Sequence, residues 1–478
     1  MNSLKSKSIT GFFWSLIGRL SLQGIGFIIY VTLARILIPE DFGLIAIAMV
    51  FMNFTNLLMD FGFSKALIQR KELTVQHYST VFFINLFIGI SLFVVVNLLA
   101  PIIGRFYKND FLILVIRLLS VNFIVSSFGN VTRARLYREM DFKIISIVNV
   151  ISSILGGVVA LILAYRNYGV WSLIWQSIVL TLSSNILINF FRPNKIKVKF
   201  YKKEFMELWH FSSNLFTSGV IDSIFLNLDQ LVIGKVLSPA ILGLYNRTKN
   251  LENFTFNYTC GILSDVLFPT LSQIQGDKEK LKSVFWRYFN IISISSFFVC
   301  GIFYVNAKNI VLLILGDNWL PMLPLFQIII SGGFSQQIYN LIYNFLLSNN
   351  RTNDILKVNA FNKILLILSL PIITCFDLEK YLYVFISINF LNLFLGVYFV
   401  NKIILVGKDF TKIIFKYTLL YVAIILLSSI LIISEYTPFI QVLLNVVSFI
   451  VQFIAVFYLF VKSEIVECWN ELHSLFRK

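Results

Sequence analysis

Five cations interrupt long apolar runs of this 478-residue sequence: Arg19, Arg117, Arg247, Lys249 and Lys363. A cation that faced lipid would cost about 2.5–3.5 kcal/mol, so each is expected to face a helix-bundle interior or a water-filled cavity. Arg117 is discounted, because it lies near the end of its run and can reach the interface. Arginine grips phosphate oxygens through two N–H bonds. The other four cations are therefore predicted to bind a phosphate-bearing ligand.

Amides and carboxylates accompany these cations at helical spacing, as Arg19 and Gln23 illustrate. Amides donate to and accept from sugar hydroxyls. The predicted polar lining comprises Gln23, Asn53, Asn250, Asn253, Asn257, Gln336 and Asn340. The candidates for ion coupling are Asp222, Asp229 and Glu252. Two plainer interpretations stay open: the amides only join neighbouring helices, and the two aspartates are structural counter-ions of Arg247 or Lys249.

The composition requires a membrane around these groups. The chain is 58% hydrophobic and only 13% charged, with a mean hydropathy of +0.81, whereas soluble domains are about a quarter charged. We predict an all-α polytopic protein with fourteen membrane spans, since apolar runs long enough to cross a bilayer recur from end to end. The predicted spans are 11–35, 40–62, 79–103, 112–132, 145–165, 169–190, 211–234, 240–262, 286–306, 322–347, 356–376, 381–401, 413–433 and 439–461.

The distribution of Lys and Arg supports this number of spans. With the N-terminus in the cytoplasm, 28 of the 40 cations fall in predicted inside segments and seven at outside ends. Cytoplasmic retention of positive loops produces such a bias, so both termini are predicted to be cytoplasmic. The first run resembles a signal peptide, but Arg19 interrupts it and no A-x-A site closes it, which predicts an uncleaved first span. The net charge of +16 is scattered between spans, so no nucleic-acid partner is expected.

A repeated hairpin indicates an internal duplication. Residues 33–44 (LARILIPEDFGL) and 233–244 (IGKVLSPAILGL) match at a fixed offset. The matched pairs are Arg35 with Lys235, Leu37 with Leu237, Pro39 with Pro239, Gly43 with Gly243 and Leu44 with Leu244. Each proline suits the first turn of a helix, where N–H groups have no partner. Two related halves are predicted: an N-lobe at 1–192, a basic cytoplasmic linker at 193–210, a C-lobe at 211–403, and two further spans within 404–478.

An enzyme is not expected. The four cysteines are far apart and only three histidines occur, without metal-ligand spacing, so buried inert thiols and no metal site are predicted. Every predicted outside loop is short, no Asp-x-Asp pair occurs and no nucleotide-binding glycine motif follows a strand. No catalytic residue and no cofactor are therefore assigned.

Several segments resemble Wzx-type oligosaccharide flippases of the multidrug/oligosaccharidyl-lipid/polysaccharide (MOP) exporter superfamily. They are FWSLIGRLSLQGIGFIIYVTLARILIPEDFGLIAIAMVF and DFGFSKALIQRKE, then LDQLVIGKVLSPAILGLYNRTKNL, LFPTLSQIQGDKEKL and LGDNWLPMLPLFQIIISGG. The matches span about residues 10–350 in the expected order, and the last four spans match in hydropathy alone. Within the superfamily, the branch that serves lipopolysaccharide, capsule or exopolysaccharide assembly is the most similar.

The resemblance implies two pseudo-symmetric six-helix lobes, with two further helices, around a central cavity that opens alternately to each side. It implies transport of undecaprenyl-pyrophosphate-linked sugar repeat units across a bacterial inner membrane, with Arg19 where a cavity cation of the family is expected. It also implies membrane lipids, and a polysaccharide polymerase or glycosyltransferases, as partners, and proton or sodium coupling as in the superfamily. The alternatives are a peptidoglycan-precursor flippase or a drug antiporter of the same fold, although the excess of cations disfavours cationic drugs.

Overall fold

The computed structural model of the protein describes residues 2–70, 72–193, 197–256, 262–430 and 437–475. Side chains are described throughout these ranges except at 2–12, 54, 56, 57, 60, 210, 211, 214, 215, 217–226, 262–266, 269, 430 and 461–475. All regular structure in the described part is helical, which confirms the predicted all-α class.

Nineteen α-helices and one 3₁₀ helix follow one another in the described ranges. They are α1 (Asn2–Ile36), α2 (Pro39–Asp60), α3 (Phe63–Gln69), α4 (Val75–Tyr107), α5 (Asp110–Ser127), α6 (Asn130–Glu139), α7 (Phe142–Tyr165), α8 (Trp171–Phe191), α9 (Lys202–Val236), α10 (Pro239–Phe256), α11 (Ile262–Gln273), α12 (Lys278–Val305), α13 (Ala307–Ile314), the 3₁₀ helix (Asp317–Met322), α14 (Leu323–Ser348), α15 (Thr352–Ser369), α16 (Pro371–Cys375), α17 (Leu378–Asn401), α18 (Gly407–Ile430) and α19 (Pro438–Leu475).

Ten segments of the described residues are long and apolar enough to cross a membrane. The other four predicted spans coincide with the helices α2, α9, α10 and α14, and parts of α2 and α9 lie outside the residues whose side chains are described. These four helices carry most of the polar residues predicted to line a cavity. The number of fourteen spans therefore stays a prediction.

Contacts divide the chain into two compact units, Met1–Gly243 and Leu244–Lys478. In the first unit, α7 packs against both α1 and α8, α4 packs against α5, and α9 packs against α2, α3 and α4. The range 193–210, predicted to be a linker, contains the start of α9 at Lys202. Because α9 packs within the first unit, the compact units differ from the predicted lobes, and the lobe boundaries stay a prediction.

In the second unit, aromatic side chains join the central helices. The Phe297 ring of α12 lies 4.2 Å from the Phe334 ring of α14 and 5.1 Å from the Tyr421 ring of α18, centroid to centroid. The last two helices, predicted to lie outside the duplication, both pack against α12. Aromatic pairs of this kind stabilise a helix bundle beyond their buried area.

Two cysteines have described side chains, and they differ in burial. Cys300 is buried and Cys375 is exposed. The expectation of a buried thiol is therefore wrong for Cys375, which lies in the short helix α16, where few side chains cover it. Cys260 lies outside the described residues, as does the side chain of Cys468.

Candidate functional site

In the first unit, Arg19 and Gln23 are exposed on α1. The helix packs against α7 through another side: Gly18 is covered by Ser146, whose hydroxyl donates to the Trp14 carbonyl at 2.9 Å. Among the described residues, no carboxylate lies within ion-pair distance of Arg19. A cation held in this way inside an apolar span requires water or an anion beside it.

In the second unit, Arg247 is buried on α10, with 8% of its surface exposed. Its guanidinium carbon lies 5.8 Å from the ring centre of Trp319, in the 3₁₀ helix. An indole face attracts a guanidinium through its quadrupole. Sequence reasoning selected Arg247 but missed Trp319, because no spacing rule relates residues 72 positions apart.

Lys249, two residues further along α10, is part of an ion pair. Its ammonium lies 2.9 Å from a carboxylate oxygen of Glu252 and 4.1 Å from the ring centre of Phe385 in α17. The side chains of Lys249 and Glu252 are 20% and 7% exposed. The counter-ion of Lys249 in the structure is thus Glu252 of the same helix, which gives this candidate coupling carboxylate a structural partner.

The predicted amides are partly bonded along their own helices. Asn250 donates to the side-chain oxygen of Asn246 at 3.2 Å, and Asn344 donates to that of Asn340 at 2.7 Å. Asn53, Asn250, Asn253 and Gln336 are exposed. The next residue, Gln337, is the buried one, and it accepts a hydrogen bond from Ser296 that joins α14 to α12.

The remaining candidate residues lie on α9 and α15 or outside the described part of the chain. Asp229 is half-buried on α9 and accepts the backbone N–H of Gln230 at 2.8 Å. Lys363 is half-buried on α15. Asn257 lies outside the described residues, and so does the side chain of Asp222, although its backbone is part of α9.

The repeated hairpin forms a reciprocal contact within the first unit. Pro39 and Pro239 are the first residues of α2 and α10, and Ser238 caps α10 by accepting the N–H of Ile241 at 3.2 Å. The carbonyl of Pro239 lies against Gly43, and the carbonyl of Pro39 lies against Gly243. A β-carbon at either glycine would overlap that carbonyl, so only glycine permits the two helix starts to meet.

A second contact joins α9 to α3 and α4. One Glu207 carboxylate oxygen lies 2.5 Å from an Arg70 guanidinium nitrogen and 3.1 Å from Nε2 of His77. The hydrogen bond with His77, and then the charge of Arg70, lower the pKa of Glu207 below its usual value. Aromatic rings also join α9 to the end of α2: the ring centre of Phe61 lies 5.2 Å from that of Trp209 and 3.9 Å from that of Phe216.

The fold is similar to those of two solved membrane transporters. The structure superposes on the inward-closed conformation of the lipid II flippase MurJ with a TM-score of 0.75 at 13% identity, over 96% of this chain and 100% of that one. It also matches an inward-facing multidrug resistance MATE family transporter of the MOP superfamily, with a TM-score of 0.61 at 12% identity, over 82% and 99%. The fold is therefore that of the MOP superfamily, as the resemblance predicted.

The chain belongs to the polysaccharide biosynthesis protein family whose model matches residues 32–324. It is 29% identical to an uncharacterized membrane protein in the cps region of Klebsiella pneumoniae, over 78% of this chain and 76% of that one. It is 28% identical to the lipopolysaccharide biosynthesis protein WzxC of Escherichia coli (strain K12), over 76% and 75%. Similarity to the teichuronic acid biosynthesis protein TuaB of Bacillus subtilis (strain 168) is 21%, over 74% of each.

Proposed function

We propose that the protein is a flippase that moves undecaprenyl-pyrophosphate-linked oligosaccharide repeat units across a bacterial inner membrane. One observation carries the proposal: Arg19 is exposed within an apolar span and has no carboxylate beside it among the described residues. Membership of a polysaccharide biosynthesis family supports it, and so do relatives that include WzxC.

The chemistry of such a substrate fits a cationic path. A sugar–pyrophosphate head group cannot cross hydrocarbon, whereas its prenyl tail can remain in lipid. Arginine binds phosphate oxygens with paired N–H groups, and exposed amides such as Asn250 and Gln336 suit sugar hydroxyls. An inside-negative potential favours outward movement of negative charge by about 2.3 kcal/mol per charge per 100 mV.

Proton or sodium coupling is part of the proposal. Asp222, Asp229 and Glu252 remain the candidate coupling groups. Because Glu252 neutralises Lys249, binding of a proton to Glu252 would release the positive charge of Lys249 toward an anionic head group. A polymerase or glycosyltransferases of the same pathway are the proposed protein partners, and the products are lipopolysaccharide, capsule or exopolysaccharide chains.

Reconstituted transport tests the arginines directly. We expect Arg19→Ala to lower the rate of undecaprenyl-pyrophosphate oligosaccharide translocation in proteoliposomes at least tenfold, since a charge-assisted hydrogen bond is worth about 1.5–3 kcal/mol. Arg247→Lys should lower it less than Arg247→Ala, because lysine keeps the charge but not the paired donors. Arg117→Ala is the matched control, as Arg117 is exposed on α5 and was not assigned to the substrate.

Native mass spectrometry of protein extracted gently from its own membrane precedes that assay. A bound polyprenyl-pyrophosphate oligosaccharide is the expected result, and its mass begins to identify the sugars. Normal translocation by folded Arg19→Ala and Arg247→Ala variants would refute the role of these residues. An empty protein from a membrane that contains the sugar-lipid would favour the antiporter alternative.

A further inference from the structure

A cationic cavity of about 490 Å³ lies in the first unit, and none of the residues assigned to the transport path lines it. Its volume is within the range of about 300–1,000 Å³ that is typical of small-molecule sites. It lies where α2 and α5 end and where α3 and α6 begin. Its walls are Met59, Ser64, Lys65, Ile68, Ser126, Asn130, Arg133, Ala134 and Tyr137.

Arg133 supplies a fixed positive charge to this cavity. Its two terminal nitrogens donate to the Asn149 side-chain oxygen at 3.0 Å and to the Ser184 hydroxyl at 2.7 Å. Both acceptors are neutral. Burial lowers the pKa of the guanidinium from its usual value, and among the described residues no carboxylate lies within ion-pair distance of Arg133. The charge is thus oriented by α7 and α8 without being neutralised.

Lys65 brings a second cation to the same cavity from α3. Its side chain is exposed, and the described part of the chain places no carboxylate within ion-pair distance of it. Glu139, on the same helix as Arg133, is bound by Arg135 at 2.8 Å and by Arg192 at 2.5 Å. The Glu139 carboxylate is therefore already paired, whereas among the described residues no carboxylate pairs with Lys65 or Arg133.

The rest of the lining suits an amphiphile. Ser64, Ser126 and Asn130 carry neutral hydrogen-bonding groups, whereas Met59 and Ile68 are apolar. The charge bias of the sequence predicts that this end of α2 and α5 is cytoplasmic, at the level where a lipid head group meets water. Free inorganic phosphate would use the cations but would leave the apolar wall unused.

We propose that this cavity is a cytoplasmic docking site for the pyrophosphate head group of a polyprenyl lipid. This inference rests on the proposed flippase function and extends it. Lys65 and Arg133 would bind the phosphate oxygens, and the apolar wall would accept the first part of the prenyl chain. The site would collect substrate at the cytoplasmic surface before it reaches Arg19.

Photocrosslinking at the cavity wall tests the docking site in the full-length protein. Benzoylphenylalanine at position 68, in zwitterionic nanodiscs, should crosslink undecaprenyl pyrophosphate supplied as the probe. We expect Lys65→Gln to raise the half-saturating concentration of undecaprenyl pyrophosphate about tenfold, because one charge-assisted contact is lost. Lys278→Gln is the matched control, because Lys278 is an exposed lysine outside the cavity. Arg133→Gln should also raise the half-saturating concentration. If that variant fails to fold, Lys65→Gln still tests the site, because Lys65 is exposed.

The outcomes separate this site from the proposed function. Unchanged crosslinking in Lys65→Gln, with translocation still dependent on Arg19, would overturn the docking site alone. Equal crosslinking of phosphatidylglycerol would overturn the preference for a polyprenyl lipid, and competition by inorganic pyrophosphate at equal concentration would overturn the role of the apolar wall. Absence of any binding of undecaprenyl pyrophosphate by the unmodified protein would instead refute the proposed function.

Discussion

At the scale of residues, the polar groups of this protein differ in what surrounds them. Arg19 is exposed, Arg247 is buried beside Trp319, and Lys249 is bound to Glu252. All three cations lie in helices that the sequence predicts to cross the membrane. Because their surroundings differ, we expect their roles to differ. A paired lysine contributes no net charge until its partner binds a proton, whereas an arginine beside an indole stays charged.

The Lys249–Glu252 pair gives a stability prediction. We expect Glu252→Gln to lower the free energy of unfolding by about 3 kcal/mol, because it leaves a largely buried ammonium without its counter-ion. The double variant Lys249→Met, Glu252→Leu should recover most of that loss. Thermal unfolding in detergent measures both effects. If Glu252→Gln leaves stability unchanged but abolishes ion-dependent transport, the pair acts in coupling rather than in structure.

At the scale of elements, α2 and α10 meet through glycines that the repeat places at equivalent positions. We expect Gly43→Ala or Gly243→Ala to lower stability by about 1–3 kcal/mol, because the new methyl group would meet a backbone carbonyl. The rate of translocation should fall as well, because the first turns of α2 and α10 could no longer pack against each other. Gly24→Ala is the control, because nothing lies within 4 Å of a β-carbon there.

The contact of α9 with α3 and α4 gives a pH prediction. A carboxyl group whose pKa is lowered by folding stabilises the contact above its usual pKa and ceases to do so as the pH falls through the lowered value. The charged groups that act on Glu207 are His77, Arg70 and Lys203. We therefore expect this contact to loosen in acid, below the usual carboxyl pKa of 4.5.

Spin labels at the exposed positions Gln69 and Met206 can measure that contact by electron resonance. A narrow distance distribution is expected at pH 7 and a broad one in acid. Glu207→Gln should be broad at both pH values, and exposed Glu72→Gln is the control. A distribution that stays narrow in Glu207→Gln would show that the stacked rings of Phe61, Trp209 and Phe216 hold the contact alone.

At the scale of the whole molecule, the fourteen predicted spans and their orientation can be tested together. Reporter fusions after residues 139, 203 and 402 should be cytoplasmic, and fusions after 166, 235 and 308 should lie on the opposite side, because positive loops are retained inside. A single fusion on the wrong side would place a missed or an extra span between it and its neighbour. The positions on either side of α2, α9, α10 and α14 are the most informative, since these helices carry most of the polar residues predicted to line a cavity.

The sequence by itself determined the helical class, the membrane setting and the repeated hairpin. Hydropathy at bilayer length and a fixed repeat offset are properties of local sequence, so they can be recognised without coordinates. The resemblance also indicated polysaccharide assembly, which agrees with the family match, and a fold that the solved MOP superfamily transporter shares. Arg19, Arg247 and Lys249 could be selected because a cation inside an apolar run is visible in one dimension.

Only the tertiary structure decided what each of these groups contacts. Several contacts join segments that are distant in sequence. They are the contact of Trp319 with Arg247, that of Phe385 with Lys249, and the packing of Gly43 and Gly243 against the carbonyls of Pro239 and Pro39. The cavity of Lys65 and Arg133 was missed for the same reason: in one dimension both residues are ordinary loop cations. The pairing of Lys249 with Glu252 follows helical spacing, whereas the contacts of Arg247 and Arg133 depend on side chains from other segments, which only packing brings together.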